Sequence, residues 1–207
     1  LRSGNPEGLD VIADAMMDLT RPTVDLYRHH LAGTGREDLV KDSVYVHVYR
    51  KEEDADLSQL AWRLRQERQV PVELVKGEAL LEVEPALSPN YEAAVLIKEQ
   101  GRALDPGAIG KVLAEKAQSM GVEFRQCRID RLRPVTGGAW EINTEAGTIE
   151  AKKVVVAIGA WSGKLLADLG VKVALEAERG YHLVFKNPGV QLNNAIMNVE
   201  AKFVASS

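Results

Sequence analysis

Apolar residues recur every three to four positions in five parts of the chain, a spacing typical of amphipathic helices. We expect Thr20 to be the N-cap of the second helix, with Pro22 in its first turn. The last helix has the strongest signature, because Asp105 can cap it and Pro106 suits its first turn. The pattern predicts helices at residues 9–19, 20–31, 52–64, 78–84 and 105–121.

Alternation of apolar and polar positions over "SVYVHVYR" predicts a β-strand with two different faces. One face carries Val44, Val46 and Val48, and the other carries Tyr45, His47 and Tyr49. By contrast, "VVVAI" at residues 154–158 is apolar on both faces, which is typical of a central parallel strand. Further strands are predicted at residues 93–97, 122–124, 128–132, 140–144, 148–151, 180–185 and 195–206.

The order of the elements changes twice along the chain. Residues 101–169 contain a helix, a strand, a three-stranded meander and the buried strand, and form a regular, compact block. Residues 1–100 and 170–207 combine helices with widely spaced strands. We therefore predict a mixed fold, α+β with α/β features, in which one domain interrupts another.

Composition narrows the classes of function. The 207 residues are 45% hydrophobic and 27% charged, with a net charge of −4, which argues against a nucleic-acid-binding face. No apolar run approaches the length of a membrane span, and the single Cys127 suits a reducing compartment. The sequence shows no phosphate-cradling glycine motif, metal-ligand spacing or Ser-His-Asp arrangement.

The stretch that follows the predicted parallel strand is "GAWS", which contains no obvious acid, base or nucleophile. Gly159 would let a cofactor approach the main chain, with Trp161 shielding it from water. Alternatively, Gly159 makes a tight turn and Trp161 belongs to the core. The residues alone leave both interpretations open, and Ser162 is expected to cap a helix at residues 163–169.

Three stretches, "LDPGAIGKVLAEKAQSMGVEF", "IEAKKVVVAIGAWSGKLLADLG" and "ERGYHLVF", with "EPALSP" as a weaker echo, occur in a characteristic order. In this order they resemble the D-amino-acid oxidase-like FAD-dependent oxidoreductases, most of all the bacterial D-amino-acid dehydrogenases. The resemblance implies that residues 101–169 form the second half of an FAD-binding, glutathione-reductase-like domain with a β-meander. Residues 1–100 and 170–207 would form a discontinuous, incomplete substrate domain, an antiparallel sheet with helices.

The resemblance also implies site residues, and it favours the cofactor-facing interpretation of the "GAWS" turn. For FAD they are Ile129, whose backbone would hold the adenine edge, and Ala157, Gly159, Ala160, Trp161 and Gly180. For the substrate they are Tyr45, His47, Tyr49, Tyr181 and His182, although a sheet surface or a solvated histidine explains these positions as well. In relatives the Gly-rich FAD loop precedes the matched region, and a carboxylate-binding Arg follows it. We therefore expect an internal fragment that binds FAD poorly by itself.

The function implied by the resemblance is FAD-dependent oxidation of the C–N bond of a D-amino acid. Hydride would pass from the α-carbon to flavin N5, and the imine would hydrolyse to a 2-keto acid. The alternatives are a glycine or sarcosine oxidase-like enzyme, a cyclic imino-acid dehydrogenase, or a non-enzymatic binding module that has lost its cofactor. We expect a cytoplasmic protein, or one peripheral at the inner face of the membrane, that self-associates through exposed sheet edges.

Overall fold

The computed structural model describes residues 6–207, which divide into two compact units. The first unit comprises the described residues up to Gly121 together with Lys186–Ser207, and the second comprises Val122–Phe185. These boundaries differ from the predicted ones at 101 and 169, because the helix after Asp105 packs within the first unit. The assignment of FAD-binding and substrate roles to the two parts stays a prediction.

The helices and strands alternate irregularly along the chain. The helices are α1 (Pro6–Thr20), α2 (Thr23–Leu31), α3 (Leu60–Glu67), α4 (Glu78–Val83), α5 (Pro106–Ser119) and α6 (Ser162–Ala167). The strands are β1 (Val40–Tyr49), β2 (Val72–Lys76), β3 (Ala93–Ala103), β4 (Ile129–Pro134), β5 (Trp140–Thr144), β6 (Gly147–Ala151), β7 (Ala195–Asn198) and β8 (Phe203–Ala205). Within the described chain, no helix has the length and apolar character that a bilayer crossing requires.

The first unit is built on a five-stranded sheet in the order β2-β3-β1-β7-β8. Neighbouring strands in this sheet pair antiparallel, except for β1 and β7, which are parallel. In that pair Tyr45 lies opposite Ala195 and Val48 lies opposite Asn198. A parallel pair requires a long connection, which the chain between these strands provides. The mixed α/β class is confirmed, and the sheet predicted to be antiparallel contains one parallel pair.

Strand β1 separates two apolar cores. Val46 and Val48 pack with Leu80 and Ile196 in the first core, and Tyr49 packs in the second. The predicted alternation is therefore confirmed. The second face of β1 is not a plain sheet surface, because α3 covers it with its buried residue, Trp62.

Two predicted helix starts illustrate how local signals succeed and fail. Helix α5 begins as predicted, since the Ala108 amide donates to Asp105 Oδ1 at 2.9 Å and Pro106 is the first helical residue. Thr20 is not an N-cap; it ends α1, and its hydroxyl donates to the Met16 carbonyl at 2.8 Å. A threonine hydroxyl inside a helix readily bonds the carbonyl four residues earlier.

The helix predicted at residues 52–64 begins later in the structure. Residues Glu52–Asp54 form a 3-10 turn, and the α-helix begins at Leu60. Trp62 is buried there, whereas Leu60 is exposed. Strand β2 was not predicted at all.

The second unit contains the predicted meander, in which β4, β5 and β6 pair antiparallel in sequence order. Among the described residues of this unit, the predicted strands at 122–124, 154–158 and 180–185 are absent. A strand requires a neighbour to satisfy its backbone hydrogen bonds, and the meander provides none for these segments. Val155, expected in a central strand, is 88% exposed.

A buried carboxyl group fixes the point where the chain returns to the first unit. Glu84, just after α4, is fully buried, and its Oε2 accepts from the amides of Asn193 at 2.8 Å and Asn194 at 3.0 Å. The Asn194 side chain continues the contact, because its Oδ1 accepts from the Val44 amide at 3.1 Å and its Nδ2 donates to the Val83 carbonyl at 3.1 Å. The start of β7 is thereby joined to α4 and β1.

Replacing Glu84 with Ala should lower the free energy of unfolding by about 2 to 4 kcal/mol, because it leaves buried amides without an acceptor. Glu84→Gln keeps one acceptor oxygen and should cost less. Chemical denaturation monitored by circular dichroism measures the free energy of unfolding of both variants. The control is Glu82→Ala, at an exposed position of α4. Equal stabilities of the Glu84→Ala and Glu82→Ala proteins would contradict the role given to this carboxyl group.

Candidate functional site

The first group of predicted site residues lies on the second face of β1, in the first unit. The His47 ring lies between two aromatic rings, with centroid distances of 4.6 Å to Tyr45 and 5.0 Å to Trp62, both edge to face. The Arg65 guanidinium lies 5.3 Å from the centroid of the Trp62 ring. Trp62 and Arg65 were not predicted as members of this group.

Packing around His47 keeps its imidazole neutral. Burial, reinforced by the positive charge of Arg65, lowers the pKa of His47 to about 4. Its Nε2 is buried and has no hydrogen-bond partner among the described residues. Burial likewise raises the pKa of Tyr49, so its phenol stays protonated. The strand therefore offers neutral hydrogen-bonding groups.

The second group lies in the second unit, on the irregular segment that leads into α6. Gly159 opens a short 3-10 turn, Gly159–Trp161, with a φ of +60° that favours glycine, and a Cβ added there would meet nothing within 4 Å. Ala157 and Ala160 are exposed, and the Trp161 indole is 75% exposed. Ser162 does not cap α6, because it is the helix's first residue and Trp161 precedes it as N-cap without a side-chain bond.

The remaining predicted residues also belong to the second unit. Ile129 opens β4 opposite Thr144 and is half-exposed. Gly180, Tyr181 and His182 lie in a segment without regular structure, where Tyr181 is 87% exposed. The structure therefore places the β1 group on one packed face and the other predicted site residues in exposed segments.

The segment from 157 to 161 fits a cofactor that is contacted by main chain. Ala157, Gly159 and Ala160 are small, although Ile158 and Trp161 are not. Gly159 has a backbone conformation that a side chain would strain, and the space beside it is open. A flat, exposed indole next to such a segment can cover an aromatic ring system. The residues present are therefore compatible with FAD.

The chain matches the family described as DAO, FAD dependent oxidoreductase, over residues 2–205. It belongs to this family. A D-amino-acid oxidase from Bradyrhizobium diazoefficiens is 31% identical over 194 residues, which are 94% of this chain and 46% of that protein. A D-amino acid dehydrogenase from the same organism is 36% identical over 119 residues, 55% of this chain and 28% of that protein. The chain thus spans less than half the length of these relatives, and the resemblance expected from the sequence is confirmed.

A solved structure supports the fold. The L-proline dehydrogenase from P. horikoshii aligns with a TM-score of 0.68 and 19% identity, over 87% of this chain and 49% of that one. At this identity the likeness concerns the fold. The fold of this chain is therefore similar to that part of the L-proline dehydrogenase structure.

The depressed pKa of His47 predicts a loss of stability in acid. The unfolded chain takes up a proton near pH 6.5, whereas the folded chain resists until about pH 4. Stability from this residue is therefore complete above pH 6.5 and falls as the pH drops towards 4, by about 1 to 3 kcal/mol.

His47→Phe should keep the edge-to-face packing and flatten this part of the curve of unfolding free energy against pH. Urea denaturation at a series of pH values between 4 and 7 measures the slope. The matched control is His29→Phe on exposed α2. An unchanged slope in His47→Phe would show that the imidazole is not held neutral by the fold.

Proposed function

We propose that the whole protein carrying this chain is an FAD-dependent enzyme that oxidises the C–N bond of D-amino acids to yield 2-keto acids. The observation that carries this proposal is the likeness to a D-amino-acid oxidase along 94% of the chain, within a family of FAD-dependent oxidoreductases. The likeness to a D-amino acid dehydrogenase over a shorter range agrees with the substrate class. Glycine, sarcosine and cyclic imino acids are the alternative substrates.

FAD, when bound, would supply the oxidation, because a flavin can take up the hydride that leaves the substrate's α-carbon. The chain's own contribution on the cofactor side is the exposed main chain of residues 157–161 and of Gly180. Trp161 would cover one edge of the cofactor and exclude water, and the backbone of Ile129 would bond the adenine. Bare main chain gives close approach without competing side-chain charge.

On the substrate side we assign Tyr45, His47 and Tyr49, with Tyr181 and His182 as further candidates. His47 is neutral and the Tyr49 phenol is protonated, which suits this role. However, α3 covers their face of β1 in this structure, so that helix would have to move for a substrate to reach them. Neutral groups of this kind orient an amino acid by hydrogen bonds and leave its amino group free to lose a proton. They bind and orient, and they need not supply a strong acid or base.

Gly159→Ala in the whole protein should reduce the bound flavin per protein several-fold, because a methyl group would occupy the space reserved for the cofactor. The matched control is Gly137→Ala in the meander, since Gly137 also has a positive φ and open surroundings. Each change costs about 1 to 2 kcal/mol of backbone strain. The ratio of flavin absorbance to protein absorbance distinguishes a loss of cofactor contact from the effect of backbone strain alone. Equal flavin content in both variants would remove the cofactor role of Gly159.

The substrate class is tested with the whole protein and a panel of D-amino acids, under anaerobic conditions. Loss of flavin absorbance with D- but not L-enantiomers is the expected result, and an artificial electron acceptor should then sustain turnover. Reduction by glycine, sarcosine or cyclic imino acids alone would select the alternative class. A flavin that no amino acid reduces would overturn the proposal. Hydrogen peroxide formed in air distinguishes an oxidase from a dehydrogenase.

A further inference from the structure

Helix α1 contributes little to the apolar cores of the first unit. From Gly8 to Thr20, none of its side chains is buried. Four apolar side chains, Val11, Ile12, Met16 and Leu19, are between 38% and 72% exposed. Within this range, only the side chains of Leu9, Ala13 and Met17 are half-buried. Because burial of apolar surface is the main force that fixes a helix to its domain, this limited contact leaves an important share of the attachment of α1 to polar groups.

Arg68, immediately after α3, supplies the attachment. Its Nη2 donates to the Asp10 carbonyl and to Asp10 Oδ1, both at 3.0 Å, and its Nε donates to Asp14 Oδ1 at 2.7 Å. Asp10 and Asp14 are four residues apart and so lie on one face of α1. The Arg68 side chain is 13% exposed, and its Nη1 donates to the Leu64 carbonyl of α3 at 3.1 Å. One guanidinium therefore joins the two helices.

This attachment is electrostatic and accessible to salt. The Asp10 and Asp14 carboxylates are mostly exposed, so dissolved ions screen their attraction to Arg68. The Arg21–Pro22 turn between α1 and α2 would be the pivot, since α1 ends at Thr20. This turn stays beside the attachment point, because Arg21 Nη2 donates to the Arg68 carbonyl at 3.4 Å. Helix α2 is anchored independently, with Leu31 buried beside α5 residues in a separate apolar cluster.

We infer that α1 is a latched helix, which Arg68 holds against the end of α3 and which swings away from the first unit about the Arg21–Pro22 turn when that guanidinium loses its partners. The latch is linked to the β1 group, because α3 also places Trp62 against His47. The inference is independent of the proposed function.

Amide hydrogen exchange of the full chain, followed by mass spectrometry, tests the latch. Arg68→Gln should raise exchange in peptides from α1 by about tenfold and leave β1 and β3 unchanged, because only the attachment of α1 is lost. The matched control is Arg63→Gln on α3, which removes the exposed Arg63–Glu67 ion pair at 3.5 Å and should behave as wild type. Raising the salt concentration from about 0.05 M to about 1 M should reproduce the Arg68→Gln effect in the wild type.

A second variant guards against an effect of Arg68 on folding. Asp10→Asn with Asp14→Asn keeps Arg68 and should accelerate exchange in α1 in the same way. Unchanged α1 exchange in both variants would overturn the inference. So would an equal rise in α1, β1 and β3, because it would report global unfolding, and so would α1 exchange in the wild type that is already as fast as in Arg68→Gln.

Discussion

The first unit depends on a buried polar contact at the point where the chain re-enters it. The chain leaves this unit at Gly121 and returns at Lys186, so β7 must pair with β1 across a long separation in sequence. The carboxyl of Glu84 accepts the amides at the start of β7 from a position about 110 residues earlier. The apolar pattern sets the register of a buried strand, and buried amides that require a specific acceptor add to this selection. Glu84 thereby contributes to holding β7 beside β1.

A central strand with two buried faces also determines the chemistry available on it. Because α3 covers the second face of β1, His47 is desolvated among aromatic rings and cannot carry a charge near neutral pH. The same burial keeps Tyr49 protonated. The packing of α3 against β1 thus leaves His47 and Tyr49 as neutral hydrogen-bonding groups. In an enzyme whose cofactor performs the oxidation, neutral groups that orient the substrate are sufficient.

The features that could be predicted from the sequence are those set by residues close together in the chain. The start of α5 follows from a capping carboxylate and a proline, and the two faces of β1 follow from a period of two. The burial of Trp62 instead of Leu60 depends on which side of α3 meets the sheet, which no local signal reports. The Glu84 contact joins positions about 110 residues apart, and no pattern in the sequence predicts it. Long-range partners are invisible in one sequence.

The segments at 154–158 and 180–185 show that a local pattern can also predict a strand that the structure does not contain. Their apolar, β-branched patterns favour strands, yet in the described chain they have no neighbours to pair with, and Val155 and Tyr181 are exposed. A run of exposed apolar residues is unfavourable in water, so such a pattern suits a protein in which these faces are covered. Ala157, Gly159, Gly180 and Tyr181 lie within or directly beside these segments. Any neighbour that ordered these segments would therefore also order the main chain that we propose as the cofactor contact.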